Sequence, residues 1–139
     1  MRKVAGQNSQ LTRNGDGATL VGAVSQRLVR RLCRACSEPV EPTAEELQLL
    51  EGADVEAFYR PVGCPQCLGN GYAGRIGLFE CFWIDDGVRR QISNRATEAD
   101  IVAAAGREHR SMFRDGLRKV SLGLTTLSEV VRVTRGEVS

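Results

Sequence analysis

Aromatic side chains make up only 5% of the 139 residues, so aliphatic groups must supply most of any core. A single histidine leaves little material for acid–base or nucleophilic catalysis. Charge of one sign is also scarce: 19 Lys+Arg against 17 Asp+Glu gives +2, not the excess of a dedicated polyanion binder. No apolar run approaches the roughly 18 residues of a membrane span. Arg2 and Lys3 are not followed by the apolar stretch and cleavage site of a secretory signal, so no signal peptide is expected. There is no Gly-x-x-x-x-Gly-Lys-Ser/Thr loop, and no Gly-x-Gly-x-x-Gly run is read as following a strand, so the chain is not built to cradle phosphates in the usual way. The length suits one domain or two very small ones, with a modest core.

Cysteine is the exception to this scarcity. There are five, and four fall in two Cys-x-x-Cys pairs, Cys33/Cys36 and Cys64/Cys67, with 27 residues between the pairs. An odd number without a secretion signal argues against a disulfide framework. Two residues between cysteines let both thiolates face one point while turn amides point at the sulfurs. Two such knuckles supply four soft ligands in a tetrahedron, the chemistry of zinc or, less often, of an iron–sulfur centre. Four thiolates leave no open position, so such a metal is structural rather than catalytic. A redox dithiol is the competing reading. The intervening loop is long, but the entropy of closing it grows slowly with length. Arg34 lies beside the ligands and softens the net −2 of a four-thiolate site. Cys81, in an apolar run, reads as a buried small hydrophobe.

Along the chain, residues 1–19 show no period and read as an unassigned or disordered segment. Leu20, Val24, Leu28 and Leu32 recur every four residues, which predicts an amphipathic helix ending at the first cysteine pair. Thr43 and Glu46 fit a capping box for a short helix stopping at Gly52. Asp54 is placed to cap a further turn carrying Val55 and Phe58. The glycines at 63, 69, 71, 74 and 77 suit tight turns around the second pair. Residues 76–83 read as a strand apolar on both faces, with Tyr72–Arg75 as its hairpin partner. Helices are then expected after Asp85 or Asp86, after Thr97 with Asp100, from Ser111, and after Thr126 with Glu129 as a second capping box. The fold class is α+β, mostly helical, with a small zinc subdomain and a short β-hairpin. The expected division is 1–19, then 20–84 with the cysteines and hairpin, then a helical 85–135, then a tail at 136–139.

Other residues carry weaker signals. His109 sits in a polar stretch and reads as solvated or locally hydrogen-bonded. Glu80 lies among apolar neighbours and needs a partner, for which Arg75 is the nearest candidate. Arg27, Arg30, Arg31 and Arg34 surround the first knuckle, which permits nucleic-acid binding. Few aromatics are available to stack on bases, however, and Glu38, Glu41, Glu45 and Glu46 follow at once, so nucleic acid is not the expected partner. The run from Cys64 to Gly71 also resembles one Cys-x-x-Cys-x-Gly-x-Gly unit of the cysteine-rich region of heat-shock co-chaperones. That family uses four such units, and the first pair here lacks the glycines.

Four stretches together resemble one family: Gln26-Arg27-Leu28-Val29-Arg30-Arg31-Leu32-Cys33; the Cys64–Cys67 pair; Gly71-Tyr72-Ala73-Gly74-Arg75-Ile76-Gly77-Leu78-Phe79-Glu80; and Asp115 to Val120 running on to Gly123 through Thr134. They are similar to the C-terminal part of the type II secretion and type IV pilus assembly ATPases, over roughly residues 20–135. The resemblance implies a fragment of a P-loop ATPase C-terminal domain in which Cys33, Cys36, Cys64 and Cys67 hold a structural zinc. It implies cytoplasmic hexameric motors, some peripheral at the inner membrane, that dock on secretion or pilus platform proteins. The implied partners of this segment are the ATPase core, neighbouring subunits and those platform proteins. The helix with Gln26 and Arg27 and the loop with Arg75 are expected to pack on the core or a neighbour. ATP and magnesium belong to the full-length family; this chain, lacking the phosphate loop, is expected to hydrolyse no ATP alone, and no catalytic or cofactor-binding residue is assigned. Free-standing nucleic-acid-binding and chaperone-like modules are the alternatives.

Overall fold

A computed structural model describes residues 20–106 and 109–135. The segments 1–19 and 136–139, expected as a loop and a tail, lie outside the described residues. In chain order the elements are β1 (Gly22–Leu32), β2 (Glu38–Val40), α1 (Ala44–Leu49), β3 (Phe58–Arg60), β4 (Tyr72–Trp83), α2 (Asp86–Ser93), α3 (Glu98–Ala105), α4 (Met112–Ser121) and α5 (Leu127–Thr134), with one 3₁₀ turn at Pro65–Cys67. The fold is mixed α+β, with more residues in helices than in strands. No described helix is long and apolar enough to cross a membrane.

The first departure from the sequence reading is β1. Residues 20–32 do not form a helix; Gly22–Leu32 is a strand paired with β4. A spacing of four satisfies a helix, but it is also a multiple of two, so it marks one face of a strand equally well. β-branched Val21, Val24 and Val29 and the mid-run Gly22 favour the extended form. The second departure follows from the first. Tyr72–Arg75 is not a separate hairpin arm but the start of one long strand, Tyr72–Trp83, whose partner lies far back in the sequence. At one end the Cys33 N–H donates to the Gly71 carbonyl at 2.9 Å, and at the other the Ile84 N–H donates to the Val21 carbonyl at 2.9 Å, so the two strands are antiparallel. The third departure is at 54–58. Instead of a capped turn carrying Phe58, Phe58–Arg60 pairs antiparallel with β2, with Glu38 opposite Arg60, Pro39 opposite Tyr59 and Val40 opposite Phe58.

Two compact units divide the chain, and both long strands run through the division. One comprises Gln26–Leu78 and the residues from Met112 on. Its core gathers Val29, Leu50, Phe58, Leu78, Leu117, Val120, Leu127 and Val130. A Cβ on Gly116 would collide with the Val130 side chain, so glycine there lets α4 and α5 pack closely. In the other unit, Ile84, Val88 and Ala105 are buried with Phe82, Ile92 and Ile101 against them.

The helix caps follow the sequence in most places. The Thr43 hydroxyl accepts from the Glu46 N–H, and the Glu46 carboxylate accepts from the Thr43 N–H at 2.9 Å. Asp85 and Thr97 cap α2 and α3. At α5 only half of the expected box forms. Thr126 accepts from the Glu129 N–H, but the Glu129 carboxylate turns to β1, accepting from the Arg30 N–H at 2.9 Å, from the Arg30 guanidinium, and from Arg132.

Candidate metal centre

The two cysteine pairs sit where chain direction reverses sharply. β1 ends at Leu32, and the next residues turn back on themselves, with the Ser37 N–H donating to the Cys33 carbonyl at 3.0 Å. The second pair brackets the 3₁₀ turn, closed by Gly69 N–H to Cys64 carbonyl at 2.9 Å. Gly63 and Gly71, on either side of this knuckle, have φ of +108° and +80°, a region that L side chains rarely adopt. They also sit against other backbone: a Cβ on Gly63 would lie 2.6 Å from the Gly69 carbonyl oxygen, and one on Gly71 would collide with Pro61. The β2–β3 ribbon pairs the two ends of the excursion between the knuckles. The Cys33 N–H to Gly71 carbonyl bond ties the first knuckle to the exit of the second.

This geometry brings Cys33, Cys36, Cys64 and Cys67 together, all four Sγ atoms within 4.8 Å of one another. Cys33–Cys64, Cys36–Cys67 and Cys64–Cys67 are each separated by 3.8 Å between sulfurs. A disulfide needs about 2.05 Å, and all five cysteines are free. Sulfurs held at about 2.3 Å from a tetrahedral zinc would lie about 3.8 Å apart along each edge. The donor set therefore has the size and chemistry to close around one soft divalent ion.

The local electrostatics fit the same occupant. Backbone N–H groups point at two of the sulfurs, each at 3.2 Å: Gly63 at Cys36, and Cys64 and Gly71 at Cys67. Burial pushes the Cys67 thiol up, but those two N–H donors and the neighbouring Cys64 and Cys36 thiols outweigh it and hold Cys67 at about 6. Cys36 moves the other way: burial, with help from the other thiols against the single Gly63 donor, pushes it up to about 11. The Cys67 thiolate forms readily, whereas burial above all resists charge on Cys36. A bound cation removes that conflict, because it lets all four sulfurs carry charge together.

Around the cluster, Glu46 does more than cap α1. It accepts from both terminal nitrogens of Arg60 on β3, at 2.5 and 2.7 Å, and this guanidinium holds its carboxyl well below the usual range, at about 2. That pair braces the excursion between the knuckles. Of the four arginines grouped in the sequence, two are engaged by contacts while remaining exposed. Arg30 stacks 4.1 Å from the Tyr72 ring centre and binds Glu129, and Arg27 donates to the Val133 carbonyl at 3.0 Å. Arg31 and Arg34 border a hollow beside Cys33 and Gln66. Arg27, Arg30 and Arg34 are exposed and Arg31 is half-buried, so their charge stays at the surface even though two of them are engaged.

Three other sequence expectations fare differently. Cys81 is half-buried and outside the cluster; its backbone exchanges hydrogen bonds of 3.1 Å with Arg110. Glu80 pairs not with Arg75, which is exposed, but with His109, whose Nε2 lies 2.9 Å from Glu80 Oε1. His109 is accordingly neither solvated nor bonded locally: the partner is 29 residues away, and its ring meets Phe82 edge-on at 5.6 Å. A tertiary pair of this kind leaves no local sequence signal. Gly69, Gly71 and Gly74 have the spacing of a dinucleotide-binding loop, yet they lead into β4 rather than into a helix, so no helix N-terminus faces a phosphate there.

Four cysteine sulfurs gathered by two knuckles on a mixed α+β scaffold define a tetracysteine protein whose cluster is geometrically compatible with a metal ion. Comparison with known proteins gives the lineage: the chain belongs to the Type II/IV secretion system protein family, which it matches over residues 4–132. The match takes in residues 4–19, which the sequence reading set apart from the family-like stretch. Among its relatives, Type II secretion system protein E of Pectobacterium carotovorum subsp. carotovorum is 44% identical over 122 residues, covering 86% of this chain and 24% of that protein. Type II secretion system ATPase E of Vibrio cholerae is 39% identical over 120 residues, covering 85% and 24%. Type IV pilus assembly ATPase PilB of Thermus thermophilus is 38% identical over 122 residues, covering 84% and 14%. The chain thus spans about a quarter or less of the length of these relatives.

Proposed function

We propose that this chain is the zinc-binding, C-terminal portion of a type II secretion or type IV pilus assembly ATPase, serving subunit packing and protein–protein contacts rather than catalysis by itself. The observation that carries the reading is the set of 3.8 Å sulfur–sulfur edges in a family member, because that spacing matches tetrahedral zinc and leaves no open ligand position for chemistry. Cys33, Cys36, Cys64 and Cys67 are the ligands. Zinc, once bound, joins the end of β1 to the glycine-rich turn, so its binding energy is folding energy. Arg31 and Arg34 offset the charge of the site. The partners are the ATPase core or neighbouring subunits and the platform proteins of the secretion or pilus system, at the cytoplasmic side of the inner membrane. ATP and magnesium act in the longer protein, not on this segment alone.

Elemental analysis of the purified chain tests the reading. One zinc per chain, lost together with Cys64→Ser, is the expected result. Protein free of metal with an unchanged melting curve after chelation would overturn it. Iron in place of zinc, visible as colour, would correct the metal while leaving the four ligands in place.

A further inference from the structure

Each knuckle contributes one buried cysteine and one half-buried one: Cys33 and Cys67 are buried, Cys36 and Cys64 half-buried. The close contacts cross from one knuckle to the other. Half-buried Cys64 has its sulfur 3.8 Å from that of buried Cys33, and half-buried Cys36 stands 3.8 Å from buried Cys67. Both contacts join residues 31 apart in the chain. The polypeptide itself holds the knuckles face to face. The Cys33 N–H donates to the Gly71 carbonyl, the Gly63 N–H donates to the Cys36 sulfur at 3.2 Å, and the β2–β3 ribbon pairs the ends of the excursion. Sulfurs so placed need to close by less than about 2 Å to reach disulfide length.

We propose that the four cysteines form a redox-modification site, in which hydrogen peroxide exchanges the metal for two disulfides across the excursion, Cys33–Cys64 and Cys36–Cys67. This rests on the proposed function, in which the same four sulfurs are the zinc ligands, and goes further by naming how the site is regulated. The half-buried thiolate of each contact, Cys64 or Cys36, attacks a peroxide oxygen. The O–O bond breaks, one oxygen stays on sulfur as a sulfenic acid, and the other leaves as hydroxide and is protonated to water. The buried thiolate opposite then attacks that sulfur. The S–S bond forms, the S–O bond breaks, and the oxygen leaves as a second water. Over both contacts, four thiolates, two peroxides and four protons from solvent give two disulfides and four waters. The first link already withdraws two of four ligands, so zinc is released. Cys64 also stands 3.8 Å from Cys67 within its own knuckle. That link would leave Cys33 and Cys36 to each other and would tie nothing across the excursion. The two cross-links use all four sulfurs at contacts already made, and each closes a long loop, so they restrain the chain in the metal's place.

The zinc-loaded chain is treated with two equivalents of hydrogen peroxide, and released zinc is read with a chromogenic chelator. Remaining thiols are then alkylated and the protein is cut with trypsin and a glutamate-specific protease without reduction. The cysteines of the cluster fall on three fragments, Leu32–Arg34, Ala35–Glu38 and Ala57–Arg75, because Pro61 blocks cleavage after Arg60. The expected result is loss of one zinc per chain and a fall from five thiols to one, that of Cys81. Both short fragments should be joined to Ala57–Arg75, with tandem fragmentation placing Cys33 on Cys64 and Cys36 on Cys67. Chelation should lower the melting temperature of the reduced chain and leave that of the oxidised chain unmoved until dithiothreitol is added. Zinc retained through the treatment overturns the inference. So does any other pairing, including Leu32–Arg34 joined to Ala35–Glu38, and so does an oxidised chain that melts as low as the reduced chain without metal. Each of these leaves the proposed function standing. A reduced chain that takes up no zinc overturns the proposed function, and this inference falls with it.

Discussion

The two units are held by different means. In the unit containing the cysteines, a 27-residue excursion is closed by turns and by four sulfurs at one point, and its Leu50 and Phe58 join the aliphatic core with α4 and α5. Among the described residues, the unit around α2 and α3 buries Ile84, Val88 and Ala105 and leaves Trp83 and Val24 exposed. The comparison teaches that one small unit gathers four sulfurs at a point beside its core, while the other is held, among its described residues, by aliphatic contacts. It also says where each unit should fail first.

The largest expected effect comes from the metal. Removing zinc by chelation, or replacing Cys64 by Ser, should cost several kcal/mol, up to about 10 if all of the binding energy is folding energy. Hydrogen exchange should accelerate over residues 33–71 while Val88 and its neighbours keep their protection. Simultaneous loss of protection in both units would break the comparison. Next comes the aliphatic core: Leu78→Ala, at a fully buried position, should cost about 2–5 kcal/mol, read from the urea midpoint at fixed zinc concentration.

Acid should single out the cysteine-bearing unit. Burial raises the Glu129 carboxyl, but Arg132 and Arg30 bring it down to about 2, and Arg60 holds Glu46 at about 2. Both lie below the ordinary value of 4.5, so the stability they contribute is present above pH 4.5 and is lost as pH falls toward 2. The urea midpoint measured between pH 6 and 2.5 should drop, and Glu129→Gln should make that drop shallower. An unchanged slope in the variant would remove Glu129 from the account. The smallest effects are at the caps. Thr43→Ala in one unit and Thr97→Ala in the other should each cost about 1 kcal/mol. A much larger cost at Thr43 would show that α1 shares the stability of the metal site through Glu46 and Arg60.

The site was more legible in the sequence than the scaffold. Cysteines two residues apart, with glycines after them, dictate a knuckle through local geometry, and the structure gathers the same four sulfurs. Capping residues such as Thr43, Asp85 and Thr97 act within three residues and were readable for the same reason. β1 was not, because Leu20, Val24, Leu28 and Leu32 fit two periods, and only pairing with a strand some forty residues onward decides between them. Glu80 with His109, and Glu129 with Arg30, are tertiary choices among several possible charges, and nothing adjacent in sequence encodes them.

The β2–β3 ribbon has an engineering consequence. Because it returns the chain to the place it left, the stretch from Glu41 to Ala57 is a closed loop, anchored by Leu50 in the core of the same unit. An affinity tag or fluorescent domain spliced at exposed Glu51–Gly52 should be carried there without displacing the sulfurs. That would place a handle on the cysteine-bearing unit and leave the sequence of both knuckles untouched.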